Sequence, residues 1–81
     1  MNKLRVGGYD IELYPIADTF GNISCYEVRV DGKNPWGIIG TITNHGMKRG
    51  PWEATLIGET RGEFFVDKTV AIGALLDEMR S

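Results

Sequence analysis

Cys25 and His45 are the only cysteine and the only histidine in this 81-residue chain. A thiol and an imidazole act as nucleophile and base when they meet within hydrogen-bond reach and a third group orients the ring. Their separation along the chain supplies no such geometry, and no orienting group stands beside either. One histidine and one cysteine cannot close a tetrahedral zinc site without carboxylates or a second chain. No metal and no cofactor is therefore expected, and elemental analysis showing one zinc per chain would contradict this. Two carboxylate pairs are close in sequence, Asp10 with Glu12 and Glu59 with Glu63. They fall in strand or turn positions facing solvent, whereas acid–base catalysis needs burial or close like charges to raise a carboxyl pKa. The glycines form neither GxGxxG nor GxxxxGK[ST]. The sequence points away from an enzyme.

Binding chemistry is better represented. "HGMKRGPWEATL", His45 to Leu56, holds the lone histidine, one of two tryptophans and the only adjacent basic pair, Lys48 and Arg49. Lys48 and Arg49, with Arg61 in the next turn, have the types that grip phosphates, while an indole such as Trp52 stacks on a base. A nucleic-acid-contacting loop of His45, Lys48, Arg49 and Arg61 is thus one reading. The other is a solvated hairpin loop between Gly46 and Gly50, with Trp52, Ala54 and Leu56 alternating into a core. Alternation and charge favour the second. Phosphate-driven binding recruits an excess of positive charge, and here nine Lys+Arg stand against eleven Asp+Glu, a net charge of −2. Charges are mixed along the chain, four basic and five acidic in residues 1–40, five and six in 41–81.

The elements that must carry these residues are short strands punctuated by glycine. "YDIELY" sets Tyr9, Ile11 and Leu13 on one face and Asp10, Glu12 and Tyr14 on the other, the period of a half-buried strand. Pro15 cannot donate to a ladder and belongs at a strand end or an edge. "SCYEVRV" repeats the alternation, Tyr26, Val28 and Val30 inward, Cys25, Glu27 and Arg29 outward. "IIGTIT" is a β-branched strand interrupted by Gly40, the mark of a bulge or of a close backbone approach. "WEATLI" and "FFV" are two more strands, and Leu4 with Val6 can add a short first one before Gly7-Gly8. Turn chemistry separates them at Ala17–Asn22, Asp31–Gly37 and Gly58–Glu63. After Val66 the period changes. Asp67 is a good N-cap, and Ile72, Leu75, Leu76 and Met79 form the apolar stripe of a helix from Lys68 to Met79.

These elements predict one α+β domain over residues 1–81: a four- to five-stranded antiparallel meander with one C-terminal helix packed on one face. Val28, Val30, Ile42, Trp52, Leu56, Leu75 and Met79 are its expected core. Gly73 inside the helix costs roughly 1 kcal/mol relative to alanine, and close approach of the helix to the sheet would compensate. Hydrophobic residues are 42% and charged residues 25% of the chain, the globular norm. "MNKLRVGGYDIELYP" lacks the apolar run of a signal peptide, and no run has the length of a membrane span. A cytoplasmic setting without membrane contact is expected.

"GTIT…GPWEATLIGETRGEFFVDKTVAIGALLDEM" resembles the three-strand-plus-helix layout of plant AP2 domains and of the arm-binding domains of tyrosine integrases. The shared cues are a strand with Trp-x-Ala, a short glycine turn, an aromatic strand and an alanine-containing helix. The resemblance covers the second half of the chain and implies a sheet face that contacts DNA. In those families that face is rich in Arg and Lys; here Glu53 and Thr55 occupy the outward positions.

A lone helix covers one side of such a sheet and leaves the other side open. The outward set is Asp10, Glu12, Tyr14, Cys25, Glu27, Arg29, Glu53 and Thr55, four carboxylates against one arginine, with Lys3 and Arg5 at one side. Such a face suits a basic protein partner by charge complementarity, and a nucleic-acid-binding protein presents such a surface. The expected function is a small non-catalytic protein-interaction module that binds through Asp10, Glu12, Tyr14, Glu27, Arg29 and Glu53. Inhibitors encoded by phages and other mobile elements, anti-CRISPR proteins among them, work this way. The alternative is the nucleic-acid module built on the loop at residues 45–52.

Overall fold

A computed structural model describes residues 2–30, 37–46 and 48–80, without the side chains of Asn2, Met79 and Arg80. Among these residues six strands, β1 (Asn2–Val6), β2 (Tyr9–Ala17), β3 (Ile23–Val30), β4 (Ile38–Asn44), β5 (Trp52–Leu56) and β6 (Glu63–Phe65), precede one helix, α1 (Lys68–Arg80). They form a single antiparallel sheet in sequence order, β1 to β6. The expected α+β architecture holds, but the strand count is six and not four to five. Leu4 and Val6 belong to a first strand that pairs with β2 along its whole length. Gly7 and Gly8 both take positive φ, 58° and 84°, and join Val6 to Tyr9 in a two-residue hairpin. Positive φ at both central residues matches the twist of the flanking strands, and glycine adopts it without penalty.

Helix α1 touches β4, β5 and β6 and also β1 at the far edge, so the sheet curls around it as a half-barrel. Inside lie Ile11, Leu13, Val28, Val30 and Ile42 from the strands and Ala71, Ile72, Leu75 and Leu76 from the helix, all buried. Ile72, Leu75 and Leu76 of the expected helical stripe are buried. Asp67 caps the helix by accepting from the Thr69 N–H at 3.1 Å, and its carbonyl accepts from the Ala71 N–H at 3.0 Å. Val28, Val30, Ile42 and Leu75 are buried as expected. Trp52 and Leu56 are only half-buried; they stand at the two ends of β5, each beside an open hollow. The Met79 side chain, Trp36 and the Asp31-Gly32 turn lie outside the described residues.

Two register shifts change which side chains face the core. Val28 pairs with Gly40 and Arg29 with Ile38, so Ile39 is the extra residue of a bulge and is buried, while Ile38 turns to the outer face. Unbroken alternation would have done the opposite. Gly40 is at once the bulge neighbour and a close approach: a Cβ there would overlap the carbonyl oxygen of Thr55. A second shift, between Ile16 and Ala17, leaves Ser24 unpaired near the β2–β3 turn. Pro15 lies on β2 beyond the reach of β1, at an edge as its missing donor requires.

Gly73 does not mark a close approach. A Cβ at this position would stand 3.9 Å from Val6 Cγ1, an ordinary contact. Gly73→Ala should therefore stabilise the fold by roughly 0.5–1 kcal/mol, through helix propensity and a less flexible unfolded chain. A higher urea midpoint at unchanged slope is the expected reading. A lower midpoint would show that the helix and β1 cannot accommodate the methyl group.

The segment that carries the resemblance to AP2 and integrase domains forms β4–β6 and α1, and β1–β3 continue the same sheet. No helix among the described residues is long and apolar enough to cross a membrane.

Candidate functional site

The open outer face of the sheet collects all six expected partner-binding residues. Asp10, Glu12 and Tyr14 project from β2, Glu27 and Arg29 from β3, and Glu53 from β5, because each occupies an outward register position. Tyr14 pairs across the strands with Glu27, and Glu12 with Arg29. At the centre Arg29 donates to Glu27 Oε1 from Nε at 2.8 Å and from Nη2 at 2.7 Å. Its guanidinium lies 3.8 Å from the centre of the Tyr14 ring. The Tyr14 hydroxyl donates to Glu12 Oε2 at 2.7 Å. This hydrogen bond, and then burial and the Glu12 charge, push the Tyr14 phenol above its ordinary pKa, while Arg29 partly offsets them. Glu27 strengthens the basicity of Arg29 by accepting from it.

The face is less acidic than its outward residues alone suggest, because β1 supplies the counter-charges. Lys3 stands 4.0 Å from Glu12 and Arg5 4.0 Å from Asp10. Glu53 is engaged from two sides: His45 Nε2 is 2.8 Å from Oε1, and the Gly62 N–H donates to Oε2 at 3.0 Å. Each of the four carboxylates thus has a partner. The pairs involving Lys3 and Arg5 are long and their cations are 67% and 72% exposed. Exposed pairs of this kind contribute about 0–1 kcal/mol and exchange readily. Apolar groups flank the network: Ile16 and Phe64 are 43% and 51% exposed, and Ile38 is half-buried.

Cys25 and His45 have separate polar partners. The Cys25 sulfur accepts from the Thr43 hydroxyl at 3.4 Å, and His45 is held by Glu53. Asp10 and Glu12 pair with cations, while Glu59 and Glu63 line an open hollow of about 260 Å³ with Arg61 and Glu78. Among the described residues no group of three or more His, Cys, Asp or Glu is placed to hold a metal ion.

Of the four residues of the alternative site, His45, Lys48 and Arg49 share the loop before β5, and Arg61 stands apart from them. His45 is held by Glu53 of the outer face and also lines the hollow beside Trp52 and Lys68. Arg61 sits in the β5–β6 turn, at the opposite end of β5 from Lys48 and Arg49. The loop before β5 is pinched by the His45 N–H donating to the Pro51 carbonyl at 2.8 Å and by the Gly46 N–H donating to Asn44 Oδ1 at 2.8 Å. It projects Lys48 and Arg49 into solvent. What the fold places at that end is Lys68, the first residue of the helix. Phe65 pairs with Trp52, so the chain leaves β6 beside the indole and starts α1 there. Lys68 and Trp52 line one hollow together with Tyr26. Lys68 carries no signal in the sequence, where it reads as an ordinary first-turn residue. Comparison with protein-family models, with curated proteins and with solved structures finds no match to this chain.

Proposed function

We propose that this chain is a non-catalytic protein-interaction module that docks its partner on the outer sheet face, centred on Tyr14 and Arg29. The observation that carries this reading is the Glu27–Arg29–Tyr14–Glu12 arrangement, in which an arginine and a tyrosine are held in place before any partner arrives. Arginine and tyrosine dominate binding energy at protein interfaces, where they are surrounded by contacts that exclude water. Ile16, Ile38 and Phe64 supply apolar surface around them. Pre-ordering lowers the entropy cost of docking.

A partner with a basic surface fits best. Its cations displace Lys3 and Arg5 from Glu12 and Asp10, since those two pairs are the longest and most exposed on the face. A nucleic-acid-binding protein presents such a surface, and an inhibitor of the mobile-element kind is the form of the function we favour. The test is a pull-down from lysate of the source cells, with and without nuclease, followed by affinity measurement on the captured protein. The outer-face variant Tyr14→Ala with Arg29→Ala should bind at least about 30-fold more weakly, as loss of a 2 kcal/mol hot spot implies. Lys48→Glu with Arg49→Glu should bind as wild type does. A partner lost on nuclease treatment, or one indifferent to Tyr14 and Arg29, would overturn the proposal.

A further inference from the structure

We infer that a second binding site, remote from the outer-face centre, takes single-stranded nucleic acid in the hollow at the Trp52 end of the half-barrel. The hollow has a volume of about 520 Å³ and is lined by Leu13, Ile23, Tyr26, Asn44, Trp52 and Lys68 among others. Its size is that of a ligand pocket, apolar and aromatic in part with a few polar groups. The Tyr26 and Trp52 rings stand 6.4 Å apart, tilted by 40°. Both are half-buried, so each keeps part of its surface free. Ile23, half exposed at the rim, extends the apolar surface toward solvent.

The distribution of unpaired charge selects the ligand. Lys3, Arg5 and Arg29 are each paired with a carboxylate on the outer face. Lys48, Arg49, Arg61 and Lys68 have no ion pair among the described residues. Lys68 lines the hollow, and Lys48 and Arg49 lie in the exposed loop that leads into Trp52. Arg61 alone stands at the other end of β5, among Glu59, Glu63 and Glu78. The carboxylates nearest in sequence are occupied: Glu53 by His45 and the Gly62 amide, Asp67 by the cap of α1. Unpaired cations beside free aromatic surface are the elements of a single-strand platform, on which bases stack while phosphates meet Lys and Arg. A duplex does not fit this arrangement. Its bases are stacked on one another and closed to Trp52, and three cations are few for its phosphate density. One base lies against Trp52 and Tyr26, and the flanking phosphates meet Lys68 on one side and the Lys48–Arg49 loop on the other.

The test is anisotropy of a fluorescein-labelled twelve-residue oligothymidylate at several salt concentrations up to about 0.15 M. Three phosphate contacts to a single strand predict that log K falls with log salt with a slope of about −2. Lys48→Glu with Arg49→Glu should reduce that slope by about 1.4, and Lys68→Glu, at an exposed helix position, by about 0.7. Trp52→Ala should weaken binding roughly 5- to 150-fold, the range for removing one stacking partner. Because Trp52 also contributes to packing, the same question is put without altering it. In a Trp36→Phe background, where Trp52 is the only tryptophan, the oligonucleotide should quench its fluorescence. Tyr14→Ala with Arg29→Ala should leave oligonucleotide binding unchanged, which separates this site from the protein-binding face. Absence of binding at low salt, binding indifferent to both charge reversals, or equal binding and quenching by polyglutamate of matched charge would each overturn the inference. The last would identify an acidic peptide as the occupant.

Discussion

Leu75→Ala is expected to lower the stability of this protein by about 2–5 kcal/mol. Leu75 is 3% exposed and lies on the helical stripe with Ile72 and Leu76, facing the β5 side of the half-barrel. Truncation removes the transfer energy of three carbon atoms and leaves a space that the curled sheet cannot close. Leu75 also borders the open hollow shared with Ala54, Leu56 and Phe65. Water can enter the space from that side, which places the cost in the lower half of the range. Ile72→Ala, at a position with no exposure, should cost more. Either loss is a large fraction of the roughly 5–15 kcal/mol that holds a domain folded. Urea titration followed by circular dichroism reads it as a lower midpoint at unchanged slope. A loss well under 1 kcal/mol for Leu75→Ala would mean that the helix does not dock on β4–β6 as described.

Gly40→Ala should destabilise by at least about 3 kcal/mol, the upper end of the usual cost of overpacking. The added methyl group would overlap the Thr55 carbonyl oxygen, a backbone atom in the β4–β5 ladder. A crowded side chain can change rotamer, whereas a ladder carbonyl can move only if β4 and β5 separate. That separation would also redirect Ile39, which the adjacent bulge turns into the core. The contrast with Gly73→Ala is diagnostic, since the same chemical change has the opposite expected sign where the nearest atom is 3.9 Å away. Comparing the urea midpoints of the two variants checks both. A Gly40→Ala protein within about 0.5 kcal/mol of wild type would show that the bulge absorbs the methyl group.

The chain's local patterns determined most of the fold. Alternation in "YDIELY", "SCYEVRV" and "WEATLI" assigned inward and outward residues correctly, because each strand turns one side into the core that the curled sheet and the helix enclose. The change of period after Val66 and the cap at Asp67 placed α1, since both are local chemistry. Gly40 announced its close approach, although its partner Thr55 is named only by the register. Local pattern failed where the structure depends on pairing. The bulge that exchanges Ile38 for Ile39 has no local signature, because either isoleucine satisfies a buried strand. Trp52 alternates inward, yet how far it is covered depends on where the helix begins, and it borders a hollow with Lys68. Charge followed the same division. The outward carboxylates of β2, β3 and β5 were legible one strand at a time, but the pairing of Glu12 and Asp10 with Lys3 and Arg5 required β1 to lie beside β2. Arg61 and Lys48 are close in sequence and stand at opposite ends of β5. Lys68 is distant from Lys48 in sequence and shares its end of the sheet, because β6 returns antiparallel to β5. Period and capping are properties of neighbouring residues, whereas the company a charge keeps is decided by which strands lie side by side.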